Sequence, residues 1–105
     1  MDNVCFLCGE PARWDDPLDR HHIFGGPFRK KSEKYGLVVP LHHFSCHVGG
    51  PDAVHNNRES MLLVKRWGQR QLLAQGWILE QFIREFGKSY LEYDEQEENE
   101  QEENE

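Results

Sequence analysis

The residues of this chain that could bind a metal ion are concentrated near its N-terminus. All three cysteines and all six histidines fall within the first 55 of its 105 residues. Thiolate and imidazole are the ligands that proteins use most often for zinc. This segment therefore predicts a metal site, and it holds more such residues than the four that a tetrahedral zinc ion takes.

Two short-spaced pairs of these residues predict a structural zinc site. Cys5 and Cys8 form a Cys-x-x-Cys turn, and His43 and Cys46 repeat the same two-residue gap further along the chain. Together they make a Cys3His set, which suits a closed tetrahedral site. His42 could replace His43, but it would break the two-residue gap. The alternative interpretation is a pair of buried free cysteines with histidines on the surface.

The remaining histidines could form a second, chemically active metal site. His21 and His22 are adjacent, so on a strand they would point to opposite faces and do different jobs. His47 directly follows Cys46 and is held in place if that cysteine binds zinc. Taken alone, the adjacent pair would also fit one packed and one exposed histidine.

The elements that must position these residues are short in the first half of the chain. The sequence predicts two short strands, over 18–24 and 35–41. Two glycines and a proline stop the first strand, and Pro40 ends the β-branched run of the second. Asn56 or Asn57 can cap a helix from about 58 to 75, with Gly76 beyond its end. A second helix is predicted over 78–86, with Gly87 as its C-cap.

The charge of the chain is unevenly distributed. The formal net charge is −7, but residues 94–105 contain eight acidic residues and no basic one, so residues 1–93 carry about +1. Such an acidic segment cannot bury enough apolar area to fold. We expect one small domain over 1–93, divided into a zinc-bearing core at 1–57 and a helical extension at 58–93, with a disordered acidic tail at 94–105.

Composition excludes several classes of protein. No segment approaches the roughly 20 apolar residues that a membrane span needs, and the N-terminus has no secretory signal. Three cysteines cannot all pair with one another, so metal binding is favoured over disulfides. No βαβ pattern surrounds Cys5 and Cys8, which argues against a thioredoxin-like redox protein. We therefore expect a cytoplasmic protein.

The order of these motifs resembles that of the HNH endonucleases, which have a ββα-metal fold. The resemblance covers about residues 5–57 and rests on Cys-x-x-Cys, on His-His-Ile at 21–23, and on the closing Cys46-His47. The stretch from Phe24-Gly25-Gly26 to Leu37 also looks like small HNH proteins of phages and prophages and, more loosely, the phage recombination-enhancing, RecA-dependent nucleases. The resemblance to HNH endonucleases implies an α+β protein with a small ββα-metal core stabilised by zinc, followed here by two C-terminal helices.

The resemblance also implies roles for individual histidines. His22 matches the general base that takes a proton from the attacking water, a role that imidazole suits near neutral pH. His21 and His47 match ligands of a catalytic divalent cation, which could be Mg, Mn, Zn or Ni. His55 is an additional candidate ligand at the entrance to the helix from 58.

The sequence departs from the family pattern at three places. Gly36 stands where the motif normally has the asparagine that braces the loop, and His43 stands where the second zinc pair more often has cysteine. After His47, the residues at 48–51 read Val-Gly-Gly-Pro, so a helix cannot begin immediately there. The helical part of the ββα unit must then be formed differently.

DNA is the partner that the resemblance implies. The loop predicted between the two strands carries a basic cluster, which comprises Arg29, Lys30, Lys31 and Lys34. These side chains could contact DNA phosphates without reading bases, or they could simply be solvated. The acidic tail is either a solubility tail or a cover for this basic surface. We expect a phage- or prophage-encoded DNA endonuclease in a bacterial host, with a recombination or packaging protein as a possible partner. The alternative is a noncatalytic zinc module that binds nucleic acid or protein.

Overall fold

The computed structural model describes residues 4–91, and the tail predicted at 94–105 lies outside the described residues. The protein is a small α+β structure, and it divides into two compact units at Leu63 and Val64, whereas the sequence placed the internal boundary at 57 and 58. Among residues 4–91, no helix combines the length and apolar character needed to cross a membrane. The elements are β1 (Leu18–His22), a 3-10 turn (Gly26–Phe28), α1 (Arg29–Lys34), β2 (Val38–His42), a π-helical segment (His43–Val48), α2 (Arg58–Ala74) and α3 (Leu79–Phe86).

The first unit is built on an antiparallel hairpin of β1 and β2. Leu18 pairs with His42 at one end and His22 with Val38 at the other. The predicted strands extended further into the connection between them, over 23–24 and 35–37, and β2 ends one residue later than predicted, at His42. Pro40 lies inside β2, as the predicted bounds implied. The Pro40 carbonyl oxygen accepts a hydrogen bond from the Phe6 amide at 2.8 Å, so the backbone polar groups of Pro40 face away from β1. Proline is tolerated there because its missing N–H removes no hydrogen bond to β1.

The connection between the strands is helical, which corrects the predicted basic loop. The four basic residues of that cluster all lie on α1. Ser32, which is fully buried, ties this helix back to the chain after β1: its hydroxyl donates to the Phe24 carbonyl at 2.8 Å and accepts from the Phe24 amide at 3.0 Å. Gly36 follows α1 with φ +73°, a conformation that glycine adopts without strain.

The segment after β2 places a helical turn earlier than the sequence suggested. The expectation that a helix could not begin immediately after His47 is confirmed. The π-helical segment starts earlier, at His43, and ends at Val48, and the next helix begins at Arg58. The chain then folds back so closely that a Cβ at Gly49 would lie 2.6 Å from the Phe44 carbonyl oxygen, and one at Gly50 would overlap the Ser45 carbonyl oxygen. The two glycines are therefore required by close backbone contact.

Helices α2 and α3 lie close to their predicted bounds. The Asn57 side chain accepts a hydrogen bond from the Ser60 amide at 3.1 Å, which confirms an asparagine cap at the start of α2. Gly76 and Gly87 follow the two helices with φ of +104° and +93°. Both glycines thus end their helices in the manner that the sequence predicted.

The second unit has its own buried contacts. Phe82 and Phe86 of α3 stack with ring centroids 5.1 Å apart. Leu79, the first residue of α3, is also buried, whereas Ile78 is exposed. On α2 the fully buried Gln69 donates to the Ser89 hydroxyl at 2.9 Å and accepts from the Tyr90 amide at 2.8 Å. One polar side chain thereby fixes the segment that follows α3.

Candidate metal centre

Three cysteines and one histidine form a compact cluster in the first unit, here called the cysteine site. Their ligand atoms all lie within 4.8 Å of one another; the residues are Cys5, Cys8, His42 and Cys46. The Cys-x-x-Cys turn is closed by Gly9, whose amide donates to the Cys5 carbonyl at 2.8 Å and whose φ is +78°. The cluster can hold a metal ion, and three thiolates with one imidazole suit tetrahedral zinc.

The histidine of the cysteine site is His42, which corrects the predicted His43. His42 is fully buried, its Nδ1 lies 3.2 Å from the Cys8 sulfur, and its Nε2 donates to the Pro11 carbonyl at 2.8 Å. This second bond fixes the tautomer that leaves Nδ1 able to bind a metal. The equal gaps misled because His42 is the last residue of β2, whereas His43 begins the π-helical segment and points to Asp19.

The thiols of this site differ in acidity. Burial acts against ionisation of Cys5, but backbone amides of Cys8, His42 and Leu7 donate towards its sulfur and lower its pKa to about 7. Burial raises the pKa of Cys46 to about 12, and the nearby Cys5 sulfur adds to the rise. A divalent cation changes this balance because metal ligation requires the deprotonated thiolate.

Three histidines converge in a second cluster, here called the three-histidine site, which consists of His21, His47 and His55. The predicted candidates for the catalytic metal are thus brought together. His47 and His55 point Nε2 at Nε2 across 3.1 Å, and the ring of buried His21 lies 5.1 Å from that of His47 and 5.6 Å from that of His55. Nitrogens bound to one ion at about 2.0–2.1 Å lie roughly 3 Å apart, so the donors fit a metal ion.

The loop after the π-helical segment delivers His55 to this cluster. The amide of His55 donates to the His47 carbonyl at 3.1 Å, and the Val54 amide donates to the Cys46 carbonyl at 2.9 Å. The Asn56 side chain closes the loop by donating to the Val48 carbonyl at 2.9 Å and the Gly50 carbonyl at 3.1 Å. His55 is therefore placed by the loop and does not belong to α2.

Asp19 lies next to this cluster, on the same face of β1 as His21. One of its carboxylate oxygens, Oδ2, accepts from Nδ1 of His47 at 2.9 Å and from Nδ1 of His43 at 2.5 Å. Burial acts against ionisation, but these bonds from His47 and His43 outweigh it and hold the pKa of Asp19 below its usual range. Asp19 was not among the predicted site residues; its spacing of two from His21, which places both side chains on one face of a strand, was the available signal.

His22 lies on the opposite face of β1, as strand alternation requires. Its Nε2 is 2.6 Å from Oε2 of Glu33 on α1. Arg20 shares that face and donates to both Glu33 oxygens at 3.0 and 3.1 Å. Hydrogen bonds from Arg20 and then from His22 lower the pKa of Glu33. Glu33 was also missed, because nothing local links it to residues eleven and thirteen positions earlier.

The basic cluster is displayed on α1, with Arg29, Lys30 and Lys34 exposed. Lys34 extends over the Tyr35 ring at 5.3 Å, and Lys31 over the Phe28 ring at 5.8 Å. Because α1 also carries Glu33, the basic residues and the carboxylate that bonds His22 belong to one short helix.

Known proteins offer no guide to this arrangement, because no family model, no curated protein and no solved structure matches the chain.

Proposed function

We propose that the chain is an HNH-like, metal-dependent DNA endonuclease with a ββα-metal core. The observation that carries the proposal is the convergence of His21, His47 and His55 beside a separate Cys3His cluster. A hairpin followed by a helical turn that carries both Cys46 and His47 supports the ββα assignment. We assign structural zinc to the cysteine site and a catalytic divalent cation to the three-histidine site.

The donor set favours some cations over others. Three imidazoles, with Asp19 bonded to His47 and His43, suit zinc and nickel best. Manganese binds imidazole less readily, and magnesium, which prefers oxygen ligands, suits the site least. A cation bound there supplies charge stabilisation to the phosphoryl oxygens and the leaving 3′-oxygen. Mg remains the weakest of the four candidate metals on this argument.

The proton acceptor in the proposal is His22. Its bond to Glu33 holds the ring with Nε2 as the donor, which leaves Nδ1 as the nitrogen that could take a proton from water. Glu33 is itself held by Arg20. The assignment requires the attacked phosphate to lie at the end of β1, where His22 is the last strand residue.

The basic residues of α1 would bind the DNA backbone. Lysine and arginine contacts to phosphate give affinity without sequence readout and weaken with salt. Because α1 carries Glu33 next to Lys34, backbone contacts on this helix would bring DNA towards His22.

A plasmid-nicking assay on zinc-loaded protein tests the proposal. We expect cleavage with Mn, Ni or Zn, and a loss of about 100- to 10,000-fold in rate for His22→Ala, because a positioned base is removed. Excess metal should partly rescue His21→Ala and His47→Ala but not His22→Ala. His43→Ala is the matched control and should keep cutting, because His43 belongs to neither proposed role.

Two outcomes would contradict the proposal. If His22→Ala cut DNA as fast as the parent, His22 would not be the base. If the parent cut nothing with any of the four metals, a noncatalytic zinc module that binds nucleic acid or a protein would replace the nuclease, and binding without cleavage would identify it.

A further inference from the structure

Asp19 makes short contacts to two imidazoles through one oxygen atom. The separations, 2.5 Å to His43 Nδ1 and 2.9 Å to His47 Nδ1, are those of charge-assisted hydrogen bonds. The shorter one is well below the roughly 3 Å between two ligands of one cation. Asp19, His43 and His47 therefore form a hydrogen-bonded group and not a further metal site.

These bonds decide which nitrogen of His47 carries its proton. A neutral imidazole has one donor and one acceptor nitrogen. Since Nδ1 of His47 donates to Asp19, its Nε2 carries the lone pair, and that Nε2 lies 3.1 Å from Nε2 of His55. The arrangement parallels His42, whose Nε2 donates to the Pro11 carbonyl and leaves Nδ1 for the cysteine site.

We infer that Asp19 is the positioning residue of the three-histidine site, holding His47 in the tautomer and ring orientation that bind a cation. The inference rests on the metal site of the proposed nuclease and not on its activity. His43 shares the carboxylate but is not needed for this role, because Asp19 bonds His47 independently through Nδ1.

The test is the affinity for Co²⁺ of protein that holds one zinc ion per chain, at the cysteine site, measured by calorimetry without DNA. Loss of an outer carboxylate typically weakens metal binding 10- to 100-fold. We expect that loss for Asp19→Asn, with the zinc content of the cysteine site unchanged. Glu33→Gln is the matched control, because it makes the same change at a carboxylate that bonds His22, on the opposite face of β1. His43→Ala should also keep the parent's affinity.

A second measurement needs no variant. In the Co²⁺-loaded parent, the Nδ1 proton of His47 should give a paramagnetically shifted proton resonance that exchanges slowly with water, because it is bonded to Asp19. Rapid exchange of that proton would overturn the inference even if Asp19→Asn failed to fold.

The remaining outcomes separate the two proposals. Parent-like Co²⁺ affinity in Asp19→Asn would overturn the role of Asp19 and leave the metal site standing. If His21→Ala bound Co²⁺ as tightly as the parent, the three-histidine site itself would be wrong, and both the proposed nuclease and the role of Asp19 would fail.

Discussion

His42 and His43 are adjacent, yet hydrogen bonds assign them to different groups. His42 is fully buried, with one nitrogen near Cys8 and the other bonded to Pro11, while His43 turns to Asp19 and is partly exposed. The same principle operates at both clusters: the partner of one ring nitrogen decides what the other can bind.

We predict that removing the His42 ring impairs the protein and that removing the His43 ring does not. His42→Ala should weaken metal binding at the cysteine site by more than the roughly 100-fold expected for losing an outer partner, and should destabilise the fold, since metal binding is part of the folding free energy. His43→Ala should do neither. The measurement is the thiolate-to-cobalt absorption band of Co²⁺-substituted protein, together with the melting temperature. Loss of that band in His43→Ala but not in His42→Ala would restore His43 as the ligand.

The π-helical segment is the element that links the two clusters, because it carries Cys46 to one and His47 to the other. Its first turn is held by Asp16, whose carboxylate accepts from the Phe44 amide at 2.7 Å and the Ser45 amide at 3.2 Å and also bonds the Ser45 hydroxyl. Asp16 thus satisfies amide groups at the start of the segment as an N-cap does.

Because Asp16 caps this segment, Asp16→Ala should lower the melting temperature by roughly 5 °C, whereas Asp15→Ala, at an exposed neighbour, should have little effect. Burial acts against ionisation of Asp16, but bonds from Ser45 and Phe44 lower its pKa. Because the pKa of Asp16 is lower in the folded protein, its carboxylate stabilises the fold fully at pH values above its ordinary pKa near 3.9. That stabilisation is lost only as the pH falls through the lowered pKa. The difference in melting temperature between the parent and Asp16→Ala should therefore be constant from pH 8 to 5.5. A difference that shrank over this range would contradict the assignment.

The whole molecule combines a nearly neutral part with a strongly acidic C-terminal segment, residues 94–105, which lies outside the described residues. The basic residues of α1 carry the charge that would attract DNA, and eight acidic residues in one short segment oppose it. Because these interactions are screened by salt, their balance is measurable.

We predict that deleting 94–105 strengthens nonspecific DNA binding at low salt and leaves the melting temperature nearly unchanged. Removing eight negative charges raises the attraction to phosphate. Binding should be followed by fluorescence anisotropy at several salt concentrations, with a full-length variant in which the eight acids are changed to glutamine or asparagine as the matched control. Equal binding by parent and deletion at low salt would show that the segment does not oppose DNA.

Local patterns in the sequence were sufficient for α2, for α3 and for the Cys-x-x-Cys turn, but not for α1 or the π-helical segment. The Asn57 cap, Gly76 and Gly87 act within a few residues of the elements they bound, so their effect can be read from spacing. Strand alternation, also local, was sufficient to predict different surroundings for His21 and His22. The likeness to HNH proteins selected His21 and His47, and the position of His55 before the predicted helix added it as a further candidate; the structure brings these three histidines together.

The hydrogen-bond partners of the site histidines depend on contacts between residues distant in sequence. Asp19 and His47 are 28 positions apart, His42 and Pro11 are 31 apart, and His22 and Glu33 are 11 apart. Such contacts depend on the register of the hairpin and on where β2 gives way to the π-helical segment. Because a shift of one residue turns a side chain to the other face, spacing alone could not choose between His42 and His43.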